Sequence, residues 1–276
     1  MRKVIIKLGY RLYMSIFAHK CWYKLNLYLY HLIIRGLGMS NSKNEKLSGE
    51  RFFLTKMLKS SKNNNNHSIV VDIGANVGNY TLLVKSINRN VIIHAIEPMP
   101  NTYKLLNANI SGIDGIKTYN LAMGKDREQL TMYDYNDENS EHASMYKEVI
   151  TELHNSQNVK QFNVEVIPLD EFCITHQIDT INLLKIDTEG YEYNVLLGAK
   201  RMLVEKRIEI IQFEFNEMNV VSKVFFRDFL FLLNNNYSLY RLLPSGVLPI
   251  KKYDPILHEL FAFQNIVAVR NDIKLF

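Results

Sequence analysis

Residues 69–78, Ile-Val-Val-Asp-Ile-Gly-Ala-Asn-Val-Gly, constrain the fold of this chain more than any other stretch. Four of the first five are β-branched, which fits a strand buried on both faces. Gly74 then opens a turn, and residues 80–86 read as a helix. Residues 91–96 form a second strand candidate ending at Glu97, residues 101–109 a helix, and residues 116–121 a third strand. Such alternation predicts a parallel sheet with helices on both faces, joined by right-handed crossovers. The rhythm pauses over residues 122–168. There, residues 130–133 and 162–167 look like extra strands around a polar insertion, the kind of segment that often covers a site. It resumes with a strand at 181–186, a helix near 193–205, a strand at 208–215 and a helix at 222–234. Residues 237–242 and 260–269 read as an antiparallel pair, completing a mostly parallel seven-stranded α/β sheet of Rossmann-like type.

In doubly wound sheets a ligand sits at the carboxyl ends of the strands, so the first loop is a candidate binding site. Gly74 there permits close approach of a ligand to the backbone, and Gly78, which closes the turn, is expected with it among the cofactor-binding residues. A dinucleotide loop needs a second glycine where a pyrophosphate lies on the backbone; Asn76 occupies that place with a side chain. Asp72, just before the loop, suits a cationic group such as the amino group of a methionine moiety. Glu97 follows Gly74 by 23 residues, the spacing at which an acid accepts hydrogen bonds from ribose hydroxyls. Glu97 alone does not separate NAD from S-adenosylmethionine; Asn76 and Asp72 favour the latter.

A second acidic cluster, Lys185-Ile186-Asp187-Thr188-Glu189-Gly190-Tyr191-Glu192, follows the strand at 181–186. Asp187 and Glu189 are candidate catalytic residues. Methyl transfer to a hydroxyl needs an aligned acceptor oxygen and a base, or a divalent cation that lowers the hydroxyl pKa. Carboxylates serve as base or as hard-cation ligands, so a metal, if any, would be held by Asp187 and Glu189. Glu192 fits helix capping or solvation better than catalysis.

Taken together, residues 71–78, Glu97-Pro98-Met99-Pro100 with Asn109, Leu169-Asp170-Glu171-Phe172, residues 185–192, Val195-Leu196 with Gly198-Ala199, and Phe213-Glu214-Phe215 resemble FkbM-type methyltransferases over about residues 68–270. The resemblance implies a class I methyltransferase fold, S-adenosylmethionine as donor and a hydroxyl acceptor, often of a sugar in a glycan or glycolipid. It implies cofactor binding by Asp72, Gly74, Asn76 and Glu97, and a reacting edge at Asp187 and Glu189. Residues 1–40 receive no support from it.

Those residues have their own character. Residues 1–66 hold 13 of the 33 Lys and Arg but only two of the 28 acids, Glu45 and Glu50, giving them +11 and leaving −6 for residues 67–276. The expected organisation is therefore a basic amphipathic extension and linker (1–66) followed by a catalytic domain (67–276). Residues 1–40 contain no acid and interleave Arg2, Lys3, Lys7, Arg11, Lys20, Lys24 and Arg35 with Trp22 and other bulky apolar residues. That pattern fits a helix lying in a membrane interface, and equally a lid or dimer arm. The longest apolar run there, residues 25–34, is broken by Asn26 and His31 and falls short of the roughly 20 residues that span a bilayer. No secretory signal is visible and the two cysteines, Cys21 and Cys173, suggest no disulfide framework, so a cytoplasmic protein, peripheral at the inner leaflet, is expected. No specific nucleic-acid partner is expected. A nicotinamide-dependent oxidoreductase would need the loop that Asn76 opposes, and a non-catalytic binding protein would leave Asp187 and Glu189 without a task. Glu214 fits a pocket wall or a solvated strand end equally, His94 a core histidine, and His142 and Ser144 ordinary loop positions without a nucleophile elbow.

Overall fold

The computed structural model describes residues 2–42, 44–60, 68–135, 143–153 and 159–275. In chain order the elements are α1 (Arg2–Phe17), α2 (Tyr23–Gly36), α3 (Glu45–Ser48), α4 (Glu50–Ser60), β1 (Ile69–Ile73), α5 (Asn79–Ile87), β2 (Ile92–Ile96), α6 (Pro100–Asn109), β3 (Ile116–Tyr119), β4 (Ala122–Gly124), β5 (Glu128–Tyr135), β6 (Val159–Pro168), α7 (Leu169–Thr175), β7 (Ile181–Ile186), α8 (Glu192–Leu197), α9 (Lys200–Val204), β8 (Ile208–Phe215), α10 (Met218–Ser222), α11 (Phe226–Leu233), β9 (Tyr237–Leu243), β10 (Gly246–Ile250), α12 (Pro255–His258) and β11 (Gln264–Arg270).

The main sheet runs β10-β9-β11-β8-β7-β1-β2-β3. Strands β8, β7, β1, β2 and β3 are parallel, and β11, β9 and β10 continue the sheet antiparallel. It has eight strands among the described residues, one more than the sequence predicts. The addition is β10, a hairpin partner of β9 across Pro244-Ser245. Pro249, a residue that argues against an interior strand, is tolerated there because β10 is an edge. The extra strands of the insertion do not join this sheet but form a separate one, β4-β6-β5.

Alternating residues of the central strands feed two cores. Val71, Ile73, Ile96, Leu184 and Ile186 face one helical layer with Phe172, Phe213 and Phe229. Val70, Ile93, Ala95 and Leu183 face the other, with Leu83 and Leu106. This period-two switch is what a strand covered on both sides requires. The second core also contains Phe53, Leu54 and Leu58 of α4, all fully buried. That helix, grouped with the basic extension on charge, is thus integral to the globular core. The single helix expected near 193–205 is two, α8 and α9, broken at Gly198, where a Cβ would stand 1.9 Å from the Gly124 carbonyl oxygen.

Register brings the strand ends level. Ile73 pairs with Ile96 on one side and Ile186 on the other, and Ile186 pairs with Phe213. The chain leaves β1 toward β2 and β3, then returns to place β7 and β8 on the opposite side, so the β1/β7 boundary is the topological switch point.

Candidate active site

A cavity of about 640 Å³ opens at that boundary. Its walls come from the first loop (Gly74, Ala75, Asn76, Asn79), from Glu97–Met99, from the 187–191 loop, and from Glu214 near the end of β8 with Asn216 just beyond it. Gly74 N and Ala75 N both donate to the Ile96 carbonyl, and Asp187 N donates to that of Ile73, each at 2.9 Å. These bonds pin both loops to the strand ends.

Gly74 lines the cavity, and its lack of a side chain also serves the packing of the two loops. At φ +79 its Cβ would lie 1.7 Å from the Asp187 carbonyl oxygen, so the glycine lets the two site loops pack together. Asn76 also takes the left-handed conformation, φ +49, which Asn tolerates. Gly78, φ +93, precedes α5 and packs toward Leu106, away from the cavity wall.

Asp72 is likewise outside the wall. It is 1% exposed, and its Oδ2 accepts a 2.6 Å hydrogen bond from the Thr81 hydroxyl, tying β1 to α5. The expected direct contact with a ligand ammonium gives way to a buttressing position, because the side chain at this register points into the α5 layer. Burial pushes its carboxyl up to about 6, against the Thr81 bond and the nearby Lys185 charge.

Glu97 does line the cavity. Its Oε2 accepts from Asn76 N at 3.0 Å and its Oε1 from Met99 N at 2.9 Å, so it fixes the backbone of both loops it touches. Burial raises it to about 7 in spite of those two bonds. A carboxylate has about four acceptor directions, so capacity remains for hydroxyl donors. Asn109, part of the sequence resemblance, holds the same loop from below by donating to the Val77 carbonyl at 2.9 Å.

Asp187 and Glu189 both face the cavity. Glu189 is a non-glycine residue at φ +53, and its carbonyl accepts a 2.9 Å bond from the buried Ser144 hydroxyl. Strained backbone of this kind collects at functional loops. Ser144 thus clamps the insertion onto the site, and Met132, Ala143 and Met145 add an apolar wall, as expected of a covering segment. Glu192, expected to cap a helix or face solvent, is buried and instead braces the loop before α8: its Oε1 accepts from Thr188 N (2.9 Å), Thr188 Oγ1 (3.2 Å) and Gly190 N (3.2 Å). Burial raises it to about 7, opposed by those backbone bonds.

Sequence reasoning passed over Lys185. Its Nζ, with the side chain 4% exposed, stands 3.3 Å from both Asp187 Oδ2 and Glu214 Oε1. Burial alone would lower this lysine, but Asp187 and Glu214 outweigh it and hold it charged. Glu214 lines the wall rather than facing bulk water, and burial with Asp187 nearby raises it well above the carboxylate range despite Lys185. Also missed were Asn41, Glu45 and Glu50, which border the cavity from the segment read as linker. Glu50 Oε1 accepts from Gln212 Nε2 at 2.6 Å, and Gln212 Oε1 accepts from Tyr80 at 2.9 Å, joining α4, β8 and α5 under the site. The available signal was that Glu45 and Glu50 are the only two acids in residues 1–66.

His94 is a core histidine, 3% exposed, bonded through Nδ1 to the Tyr119 hydroxyl at 2.9 Å and lowered to about 4, chiefly by burial. His142 lies outside the described residues. Among the described residues no three His, Cys, Asp or Glu side chains come together as a metal-holding group. No helix among them is long and apolar enough to cross a membrane.

A family model for the Methyltransferase FkbM domain matches residues 72–239. Methyltransferase 1 of Beauveria bassiana (strain ARSEF 2860) is 28% identical over 145 residues, 48% of this chain; the chain spans 58% of that relative's length. Similar solved structures include the plantazolicin methyltransferase BpumL in complex with SAH (11% identity, 98% of each chain, TM-score 0.43). Another is the precorrin-6y C5,15-methyltransferase of Geobacter metallireducens GS-15 (12% identity, 85% of this chain and 97% of that one, TM-score 0.41).

Proposed function

This chain belongs to the Methyltransferase FkbM domain family, and from that premise we propose that it transfers a methyl group from S-adenosylmethionine to a hydroxyl of a carbohydrate-type acceptor. The observation that carries the reading is the continuity of one cavity. Glu97, the Gly74–Asn76 turn, Asp187, Glu189 and Glu214 all line it.

The residues present fit the donor. Glu97 has acceptor capacity for ribose hydroxyls, the backbone at Gly74–Asn76 is accessible, and Ile96, Met99 and Leu121 offer apolar surface for a base. A cavity of this size and mixed lining is typical of small-ligand sites. When bound, the donor supplies an electrophilic methyl carbon on a sulfonium.

The protein's share is alignment and proton removal. Asp187 lines the cavity with its side chain 35% exposed, against 11% for Glu214. It takes the hydroxyl proton as the acceptor oxygen bonds to the methyl carbon and displaces the neutral thioether from it. Lys185 holds Asp187 in place from behind and separates it from Glu214. Glu189, Glu214 and Asn216 present hydrogen-bond acceptors to neighbouring hydroxyls, which favours a polyhydroxyl over an apolar acceptor.

The test is transfer of label from methyl-labelled S-adenosylmethionine into glycan and lipid extracts, with Asp187→Asn as control. Label appearing in carbohydrate, and lost with the variant while donor binding persists, is the expected result. Absence of label from the carbohydrate of both extracts, with the donor bound, overturns the acceptor assignment.

A further inference from the structure

Helices α1 and α2 form a hairpin that is held by its own contacts. Tyr13 stacks on Phe17 with ring centres 5.2 Å apart, Phe17 lies 5.3 Å from Trp22, and Asn26 donates to the Phe17 carbonyl at 2.8 Å while accepting from Tyr13. From residue 6 to residue 33 no side chain is buried. Ile6, Leu8, Tyr10, Tyr23, Tyr28 and Ile33 are each 59–67% exposed. Soluble surfaces seldom leave apolar area of this extent open unless something covers it.

The charge on the same surface narrows what covers it. Lys7, Arg11, Lys20, Lys24 and Arg35 are exposed, and no Asp or Glu occurs before residue 45. A second copy meeting this element face to face would set cations against cations with no acid of the hairpin to offset them. A nucleic acid would take the basic residues and leave the aliphatic ones uncovered. An anionic bilayer surface satisfies both: headgroups take the lysines and arginines, and the acyl boundary takes the aliphatic and aromatic side chains.

The hairpin meets the domain beside the cavity. Ile34 and Met39 are buried, and Gly38, at φ +73, packs where a Cβ would stand 2.9 Å from the Leu242 carbonyl oxygen. Asn41 N then donates to the Phe263 carbonyl at 2.7 Å, and Asn41, Glu45 and Phe263 all line the cavity. Five residues separate exposed Arg35 from Asn41 in the cavity wall.

We infer that the hairpin at residues 2–36 seats this chain on an anionic bilayer surface and holds the cavity at headgroup level, so that the acceptor is the hydroxyl-bearing headgroup of a lipid-anchored glycan. The acceptor half rests on the methyl-transfer reading; the membrane half does not.

Vesicles of phosphatidylglycerol with phosphatidylcholine, and of phosphatidylcholine alone, are sedimented with the full chain. The full chain binds the anionic vesicles at least about tenfold more tightly and is released by salt, which screens charge beyond about 10 Å at 0.1 M. Two full-length variants separate the contributions. Lys7→Glu with Arg11→Glu, Lys20→Glu and Lys24→Glu abolishes the preference for anionic lipid. Ile6→Ser with Tyr10→Ser and Ile33→Ser weakens binding at every salt concentration. Both variants alter exposed positions only, and each keeps the thermal shift with S-adenosylhomocysteine, which shows that it is folded. Equal binding to the two vesicle types, or none, overturns the membrane seat. So does a concentration-dependent dimer, seen by sedimentation velocity, that both variants dissolve while vesicles stay unbound. Vesicle binding with label entering only water-soluble glycans overturns the acceptor half alone. Vesicle binding without any S-adenosylhomocysteine shift keeps the seat and removes the methyl-transfer reading.

Discussion

Replacing Lys185 with Met keeps most of the side-chain volume and deletes the positive charge that stands 3.3 Å from both Asp187 and Glu214. Removing one partner of a buried ion pair costs about 3–5 kcal/mol, because the other charge is left desolvated. The Asp187 side of the bridge, with 35% of its side chain exposed, behaves more like a surface pair worth under about 1 kcal/mol. Glu214, with 11% of its side chain exposed, therefore carries most of the loss. We expect Lys185→Met to lower unfolding free energy by about 3–5 kcal/mol at pH 8. Glu214 is already raised well above its unfolded value, by burial first and Asp187 second. An acid raised in the folded state contributes stability that is complete below its unfolded pKa of about 4.3 and is lost as pH rises through the folded value. The variant, with that pKa higher still, should recover at pH 5, where the loss shrinks to the packing cost of about 1 kcal/mol. Adding Glu214→Gln to Lys185→Met should restore most of the deficit at pH 8. Urea unfolding at both pH values measures all of this. A loss at pH 8 within about 1 kcal/mol of zero, an equal loss at both pH values, or a double variant no better than the single one would refute the argument.

Three further expectations follow from the geometry. Glu97→Gln puts an amide NH₂ against one of two backbone donors, Asn76 N or Met99 N, and should weaken S-adenosylhomocysteine binding by about 1.5–3 kcal/mol in calorimetry; in the native protein that affinity should fall as pH drops below about 7, where Glu97 takes a proton. Gly74→Ala forces a Cβ to within 1.7 Å of the Asp187 carbonyl oxygen and should destabilise by more than about 2 kcal/mol while displacing both loops, read as a lower Tm and lost donor binding. Phe53→Ala, at a fully buried position of α4, should cost about 3–5 kcal/mol in urea unfolding, whereas a value near zero would mean that α4 is detachable.

The parallel half of the fold was legible because its strands announce themselves. Stretches such as Ile69–Ile73 and Ile181–Ile186 are buried on both faces and leave little choice of conformation. Glu97, Asp187 and Glu189 could be placed for the same reason: a strand end in a doubly wound sheet has a defined destination. Where the reading failed, a residue's partner lay far away in sequence. Asp72 was given to a ligand because Thr81, its hydrogen-bond donor, sits on the next helix and carries no signal of its own. Lys185 was read as part of a strand, since its value depends on Glu214, 29 residues later. Residues 50–58 were legible as a short helix but were grouped with the extension and linker of residues 1–66, and the burial of Phe53, Leu54 and Leu58 in the core was not foreseen. The strand β10 escaped because an edge position tolerates a proline that an interior one does not.

Everything turns on whether the cavity at the β1/β7 boundary takes a sulfonium nucleoside donor. Titration of the full chain with S-adenosylhomocysteine, and separately with NAD, tests this directly. The account predicts saturable one-site heat and a raised Tm with the first ligand only, both diminished by Glu97→Gln. Silence toward S-adenosylhomocysteine, or a response to NAD in its place, would contradict it.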